Sequence, residues 1–443
     1  MKRLLFLAVL FTTAIYAQDK RVLPFTILQK QLPNGLNVVT VPYNSPGIAS
    51  FYLVVRAGSR EEVEAGKTGF AHFFEHMMFR GTDKYSKEAY DDVLKSLGAS
   101  SNANTSLDRT VYHMTGNAAM LEKMFELEGD RFQHLKYTEH DFKTEAGAVK
   151  GEYTKNISDV LSRLNEKIAE TAFDKHTYKH TTMGFFKDVV DMPNQYNYSL
   201  TFYDRFYRPE YSTIIVVGDV KQADVNKYAE KYFGNWKRGN YKPVIETEPG
   251  QTATRYVHIK QGNYPPLVRL NYKGTAFSNT KDLAALSLLN MILYAESGEL
   301  YQKLVVKEQK VRTVGGFAGL SRDPNLIVVN ASLREASDLQ YVKDELVKAL
   351  DAAKTNPVDA KKLADSKSRI KYSIAMAMDN PDAIANTIAQ AVWLSGDPEA
   401  LNKYYTVFET LTAQDIMNAA KKYYTPETLT VATIGPSDEN PVK

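Results

Sequence analysis

The chain contains no cysteine among its 443 residues, so it can form no disulfide and can use no thiol as a nucleophile or metal ligand. It also lacks an excess of either charge, with 55 Lys and Arg against 52 Asp and Glu and a formal charge of +3. So small a net charge argues against a general nucleic-acid-binding protein. Because hydrophobic residues make up 44% and charged residues 24%, a disordered or fibrous chain is excluded as well.

Long apolar runs are also missing, apart from a short one near the N-terminus. Residues 4–14 are apolar except for two threonines, and they follow the basic pair Lys2-Arg3 and precede Ala17. A membrane span needs about 20 apolar residues, so this run predicts no stable span. The pattern is typical of a secretory signal peptide, residues 1–17, cut after Ala17. We therefore expect export to a periplasm, with secretion as the alternative.

The chain repeats one pattern in its two halves. The segments 207–218 (YRPEYSTIIVVG) and 424–435 (YTPETLTVATIG) share Tyr, Pro, Glu, Thr and Gly in register, and each follows a helical stretch. Two unrelated strands that each start after a proline turn are the alternative. We favour a duplicated domain of roughly 210 residues, because the matching positions lie about half a chain length apart.

The order of predicted elements favours an α+β fold. Strand and helix patterns alternate without a regular β-α-β order, which predicts two homologous mixed α/β domains, each with an antiparallel-rich sheet and helices packed on it. Asn34-Gly35 predicts a hairpin turn within residues 28–42. The segment 237–255 is rich in proline and glycine and predicts a linker between an N-terminal domain, 18–236, and a C-terminal domain, 256–443.

One short motif suits metal chemistry. The sequence His72-Phe-Phe-Glu75-His76 lies in an apolar stretch with helical spacing, and residues four apart share one helix face. Two imidazoles one turn apart suit a zinc ion, and the neighbouring carboxylate of Glu75 can take a proton from an attacking water. This order is the inverted zinc-peptidase motif H-x-x-E-H. Two histidines packed in a core helix are the alternative, but the chain has only eight histidines, so a chance match is rare.

A catalytic zinc needs a third protein ligand, and the sequence offers two candidates. Glu145 and Glu152 are two turns apart on one face of a helix that Thr138 and Asp141 are expected to cap. One could bind metal while the other holds a ligand in place. A solvated acidic stripe is the alternative, although the small apolar residues between the two glutamates favour a packed helix. The spacing alone does not decide which glutamate is the ligand.

These motifs resemble the pitrilysin/insulinase family of inverted-motif zinc peptidases, in its short, mitochondrial-processing-peptidase-like branch. The resemblance spans residues 25–435. In that family the third ligand lies about 76 residues after the second histidine, which is the position of Glu152 here. The resemblance thus implies one zinc per chain held by His72, His76 and Glu152, with Glu75 as general base and Glu145 supporting the site. It also implies half of a clam-shell chamber.

The segment 101–105 (SNANT) also resembles the family. In relatives this strand edge pairs with the backbone of the substrate, which gives affinity with little demand on sequence. The resemblance implies that Asn102 and Ala103 contact a peptide substrate. A plain turn and strand start is the alternative.

The chain departs from the family at the residues that stabilise the transition state. Relatives use an Arg/Tyr pair in the C-terminal domain, and those two positions fall on Val305 and Arg312 here. The resemblance then implies a heterodimer with a homologous subunit that has the pair but lacks the zinc motif, although a homodimer is possible. The expected function is that of a zinc metalloendopeptidase subunit acting on short or unfolded peptides. The alternative is a non-catalytic zinc-containing subunit for peptide binding or assembly.

A second histidine pair receives a weaker prediction. His176 and His180 are also four residues apart, but they lie in a polar stretch that favours a loop over a helix. The resemblance implies a structural loop there rather than a second metal site.

Overall fold

The computed structural model describes residues 22–443, so the predicted signal peptide, 1–17, lies outside the described residues. Within this range the strands form two sheets. The first has the order β1-β2-β6-β3-β5-β4 and the second the order β7-β11-β8-β10-β9. The first comprises β1 (Leu28–Gln31), β2 (Asn37–Pro42), β3 (Ile48–Val55), β4 (Ser100–Thr105), β5 (Thr110–Asn117) and β6 (Ser212–Gly218). The second comprises β7 (Arg255–Lys260), β8 (Leu267–Lys273), β9 (Val311–Ala318), β10 (Leu326–Leu333) and β11 (Leu429–Gly435).

The helices of the described chain are grouped here by whether they come before or after β7. Before β7 they are α1 (Phe70–Met77), α2 (Lys87–Ser96), α3 (Leu121–His134), α4 (Glu139–Asn156), α5 (Val160–Ala172), α6 (Phe186–Asp191), α7 (Tyr196–Phe206) and α8 (Gln222–Phe233). After β7 they are α9 (Thr280–Leu293), α10 (Glu299–Tyr301), α11 (Leu339–Thr355), α12 (Ala360–Met376), α13 (Pro381–Ser395), α14 (Ala400–Thr410) and α15 (Ala413–Tyr423). The predicted α+β class is confirmed.

The two sheets share one topology. Without β1, the strand order of the first sheet is β2-β6-β3-β5-β4, and that of the second is β7-β11-β8-β10-β9. Corresponding neighbours in the two sheets are parallel or antiparallel in the same way. In each sheet one parallel pair, β2 with β6 or β7 with β11, adjoins antiparallel pairs. The matching sequence segments form β6 and β11, and each strand follows its own helix, α7 or α15. The predicted duplication is therefore confirmed.

Each sheet buries one face under helices of its own half. Apolar side chains of α1, α3, α4, α7 and α8 pack on the first sheet in one continuous core. Those of α9, α11, α14 and α15 pack on the second sheet in the same way. Burial of this much apolar surface is the main source of stability in a chain without disulfides.

The second face of each sheet is covered by a helix from the other half of the chain. Helix α13, from the C-terminal half, covers β3 and β6 of the first sheet, with Ile384, Ile388 and Val392 buried there. Helix α5, from the N-terminal half, covers β7 and β11 of the second sheet through Val160 and Leu164. Neither half therefore buries both faces of its sheet with its own residues.

The predicted linker contains no helix or strand before β7 begins at Arg255. It is nevertheless tied to both halves. The Glu248 carboxylate accepts backbone N–H bonds from Asp174, Lys175 and His176 at 2.9–3.1 Å and a bond from the Lys273 ammonium at 2.5 Å. The domain boundaries at 236 and 256 stay a prediction.

Local turn signals agree with the structure. The hairpin forms with β1 antiparallel to β2, and Gly35 has φ +94°, a region that glycine adopts readily. Within residues 22–443, the structure has no helix that is both long and apolar enough to cross a bilayer.

Truncation of Ile388 tests the helix exchange. We expect Ile388→Ala to lower the free energy of unfolding by about 2–4 kcal/mol, because this buried side chain fills the contact between α13 and the first sheet. Urea denaturation followed by circular dichroism measures the change. The exposed Asn386→Ala on the same helix is the control and should change stability by less than about 0.5 kcal/mol. Equal effects of the two substitutions would contradict the packing described here.

Candidate metal centre

The residue that precedes α1 has a backbone conformation and surroundings that require glycine. Gly69 has φ +93°, and a Cβ at that position would lie 2.9 Å from the Met183 carbonyl oxygen. The buried Glu62 carboxylate accepts the backbone N–H groups of Gly69 and Ala71 at 2.8 Å each. These bonds satisfy N–H groups that a helix start leaves without partners, so they fix where α1 begins.

The apolar face of α1 anchors it in the core. Phe70, Phe73, Phe74 and Met77 are fully buried, and the Phe74 ring stacks on Phe202 of α7 at 5.4 Å. The remaining face turns toward α4 and carries the two histidines of the motif. The sequence prediction of a helix with both imidazoles on one face agrees with this arrangement.

Helix α4 is also fixed by local sequence and by burial. Thr138 and Asp141 form the expected capping box, with the Thr138 hydroxyl accepting the Asp141 N–H at 3.1 Å. Ala146 and Val149 are fully buried, so the small apolar stretch between the two glutamates packs inward. Glu145 and Glu152 therefore turn toward α1.

Three side chains converge between the two helices. His72 Nε2 lies 3.8 Å from Glu152 Oε2, and His76 Nε2 lies 3.4 Å from the same oxygen. One ligand atom from each of His72, His76 and Glu152 lies within 4.8 Å of the other two. Among residues 22–443, no other group of three histidine, aspartate or glutamate side chains comes together in this way.

The donor set fits a zinc ion. Zinc takes histidine nitrogens and carboxylate oxygens at about 2.0–2.2 Å in a tetrahedron, which puts neighbouring ligand atoms about 3.3–3.5 Å apart. The two imidazole–carboxylate separations are close to that value. Burial of His72 lowers the pKa of its imidazole, which favours the neutral form that binds metals.

Glu145 orients one of the imidazoles. His76 Nδ1 lies 2.9 Å from Glu145 Oε1, and Arg80 Nε donates to the other carboxylate oxygen at 2.7 Å. The bond to Glu145 raises the pKa of His76, and the same bond lowers the pKa of Glu145. With Nδ1 held by the carboxylate, Nε2 is the nitrogen that faces Glu152. The sequence did not single out Arg80, which lies in the turn just after α1, four residues beyond His76.

Glu75 of α1 lies beside this cluster and accepts a hydrogen bond from a residue of strand β4. Thr105 Oγ1, at the end of β4, donates to Glu75 Oε2 at 2.5 Å. The guanidinium of Arg109 is close enough for the two charges to interact, while burial lowers the pKa of Arg109 to about 10. No local sequence pattern points to the role of Thr105, even though this residue ends the segment 101–105, for which peptide binding is expected.

The cluster opens to solvent and adjoins a sheet edge. An open pocket of about 380 Å³ is lined by Glu75, His76, Phe79, Arg80, Lys87 and Glu145. Strand β4 is the last strand of its sheet, with Asn102 paired to His113 and Ala103 to Tyr112 on its inner side. Asn102 and Ala103 therefore lie on a strand whose outer edge pairs with no strand of the described chain.

The remaining predicted positions lie apart from the cluster. Val305 belongs to a short helical turn that packs in the second core, and Arg312 lies on β9, where its Nε donates to the Leu333 carbonyl at 3.2 Å. His176 and His180 flank a short 3₁₀ turn. His176 Nε2 lies 2.9 Å from Asp323, and His180 Nδ1 lies 3.0 Å from the Thr181 carbonyl.

Family models match both halves of the chain. The model described as "Insulinase (Peptidase family M16)" matches residues 38–185, and "Peptidase M16 inactive domain" matches residues 195–370. The chain belongs to the M16 (insulinase) family. The segment with the metal cluster falls within the first match, and the second match covers most of the second sheet.

Individual relatives agree with this assignment. The chain is 28% identical to "Zinc protease PqqE" of Helicobacter pylori over 89% of this chain and 89% of that protein. It is 22% identical to "Probable mitochondrial-processing peptidase subunit beta" of Arabidopsis thaliana, over 93% of this chain and 78% of that protein. The predicted resemblance to the insulinase family is confirmed.

A solved structure has the same fold. The crystal structure of a protease from Helicobacter pylori superposes with a TM-score of 0.85 at 27% identity, covering 93% of this chain and 100% of that chain. The fold class of two sheets with packed helices is thus shared with that protease.

Glu145→Gln tests how His76 is oriented. The substitution keeps the shape of the side chain but removes the charge that holds Nδ1, so metal affinity should fall by about 10–100-fold. Competition with a fluorescent zinc chelator measures the affinity. The control is Glu139→Gln at the exposed first turn of the same helix, which should leave the affinity unchanged. Equal zinc affinity of the Glu145→Gln and wild-type proteins would show that the hydrogen bond does not support metal binding.

Proposed function

We propose that the protein is a zinc metalloendopeptidase subunit that cleaves short or unfolded peptides. One observation carries the proposal, which is the convergence of His72, His76 and Glu152 with Glu75 beside them. An M16 relative named as a zinc protease supports the choice of metal and reaction. We assign one zinc ion to each chain.

The chain's own residues would perform the proton transfers. When bound, zinc lowers the pKa of water toward neutrality and polarises the scissile carbonyl. Glu75 would accept a proton from the attacking water and pass it to the leaving amine. The hydroxyl of Thr105 fixes one oxygen of that carboxylate, so the other oxygen is the one available for the proton.

The edge of β4 would bind the peptide backbone. An extended peptide can add to this edge as a further strand, through main-chain hydrogen bonds around Asn102 and Ala103. A segment already held in a folded protein cannot offer its backbone in this way. This restriction supports short or unfolded peptides as the substrate class.

A homologous partner would complete the site. Transition-state charge on the carbonyl oxygen needs hydrogen-bond donors, but the Val305 side chain has none and Arg312 Nε already donates to the Leu333 carbonyl. The relative from Arabidopsis thaliana is itself named as a subunit. We propose a heterodimer with a chain of similar size that supplies the donors and lacks the zinc motif, and a homodimer is the alternative.

Residues 1–17 support export, so we propose a periplasmic location, with secretion as the alternative.

The competing function is a non-catalytic zinc-containing subunit that binds peptides or serves assembly. The positions Val305 and Arg312, which lack the family's donor pair, favour this alternative. Cleavage assays separate the two functions.

Glu75→Gln tests the role of the carboxylate. With peptide substrate and any partner present, we expect kcat to fall by about two to four orders of magnitude, because amide nitrogen and oxygen cannot replace a general base. Zinc content, measured by elemental analysis, should stay at one ion per chain. The exposed Glu88→Gln on α2 is the control and should keep full activity. Undiminished cleavage by the Glu75→Gln protein would reject this mechanism.

The purified chain, assayed alone and together with a co-purified homologous chain, tests the need for a partner. If the partner supplies the missing donors, kcat of the mixture should exceed that of the single chain by about 100-fold or more. A quenched-fluorescence peptide library gives the rates, and light scattering gives the oligomeric state. Full turnover by the isolated monomer would reject the heterodimer.

A further inference from the structure

The second sheet leaves part of one face without helix cover. Along β8 and β10, alternate side chains enter the core under α9 and α11, while Arg269, Asn271, Val328 and Asn330 point to the opposite face. Helix α5 covers that face at β7 and β11 and packs against Leu267 at the start of β8. The exposed Phe317 of β9 continues the uncovered part. The uncovered part carries the guanidinium of Arg269 and the amides of Asn271 and Asn330.

This face forms one wall of a cavity of about 660 Å³. The opposite wall includes Thr105, Ser106 and Leu107 from the end of β4, together with residues of α5 and the loop after His180. Thr105 is also the residue that bonds to Glu75. The cavity therefore starts beside the proposed general base and reaches across to the second half of the chain.

Arg269 lines the cavity without an acidic partner. One guanidinium nitrogen donates to the Asn165 amide oxygen at 2.7 Å, and the buried Nε has no hydrogen-bond partner. None of the residues that line the cavity is an aspartate or a glutamate. Burial lowers the pKa of Arg269, as expected for a cation removed from water without a counter-ion. A bound carboxylate would supply the missing partner.

His180 adds an unused acceptor to the same cavity. The residue is only 3% exposed, its Nδ1 lies 3.0 Å from the Thr181 carbonyl oxygen, and its Nε2 is buried without a partner. Burial lowers the pKa of His180 to about 4, so at neutral pH the ring donates from Nδ1 and Nε2 is an acceptor. A peptide N–H group would satisfy this nitrogen. The cavity thus combines a cation without a partner and an acceptor without a donor.

We propose that this cavity is a substrate subsite in which Arg269 receives a carboxylate of the peptide and His180 accepts a backbone N–H. The carboxylate belongs either to an Asp or Glu side chain near the scissile bond or to the C-terminus of the peptide. This subsite depends on the proposed peptidase function only for its role in catalysis. As a binding site it can be tested without cleavage.

Equilibrium binding to a Glu75→Gln background tests the subsite in the full-length chain loaded with zinc. The probes are fluorescein-labelled decapeptides in which one Glu is moved along an Ala/Asn sequence, each paired with the Gln equivalent. Every peptide is made with a free C-terminal carboxylate and as the amide. Fluorescence anisotropy gives Kd for each peptide. This set separates a side-chain carboxylate from a terminal one.

We expect one carboxylate position to bind about tenfold or more tightly than its neutral equivalent, the range for a hydrogen bond to a charged group. Arg269→Gln should abolish this preference, and Arg269→Lys should keep part of it because the charge remains. The control is Arg334→Gln, since Arg334 is exposed on the loop after β10 and lies outside the cavity. It should keep the full preference.

Two results would overturn the subsite: no preference for any carboxylate in the Glu75→Gln protein, or a preference that survives Arg269→Gln. If Arg269→Gln fails to fold by circular dichroism, Arg269→Lys and the salt dependence of the preference decide instead. Screening by 0.5 M NaCl should weaken a carboxylate–guanidinium contact, and an unchanged preference would contradict it. Cleavage is measured separately, so a failed peptidase mechanism and a failed subsite give different results.

Discussion

The contact between α1 and α4 is the constraint on which the proposed chemistry depends. Helix α1 contributes His72 and His76 and helix α4 contributes Glu152, so the three side chains meet only where the two helices pack. Buried apolar side chains on both helices set their separation, while Glu145 sets the direction of the His76 imidazole. A metal site built on packed helices needs no rearrangement of loops before it can bind. The core and the site are therefore parts of one structure.

Local spacing made much of this centre predictable. The positions of His72 and His76 follow from helix geometry, and the capping residue Thr138 marks the start of the second helix. The choice of Glu152 over Glu145 as the ligand came from the family resemblance, because both glutamates share a face. The bond from Thr105 to Glu75 joins two elements distant in sequence, and no local pattern contains that information.

The fold shows the same division between local and distant information. The hairpin at Gly35 and the repeated strand β6/β11 could be predicted, since turn residues and β-branched runs leave a direct signal. The exchange of α5 and α13 could not, because each helix has an ordinary amphipathic pattern that does not identify its sheet. Sequence periodicity shows that a face is buried, and only the tertiary structure shows what covers it.

The duplicated halves have kept one topology and diverged in chemistry. The first half carries the candidate metal ligands on α1 and α4, while strands of the second half present Arg269 and amide side chains to the shared cavity. A duplicated domain that loses its own centre can still shape the surroundings of the remaining one. Function then depends on the relative position of the two sheets.

Helix exchange has a consequence for synthesis on the ribosome. The strands of the first sheet are complete at residue 218, but the helix that covers their outer face begins only at Pro381. At about 5–20 residues per second, that apolar surface stays bare for roughly 10–30 s while the rest of the chain is made. A nascent chain in this state is a natural client for a holding chaperone.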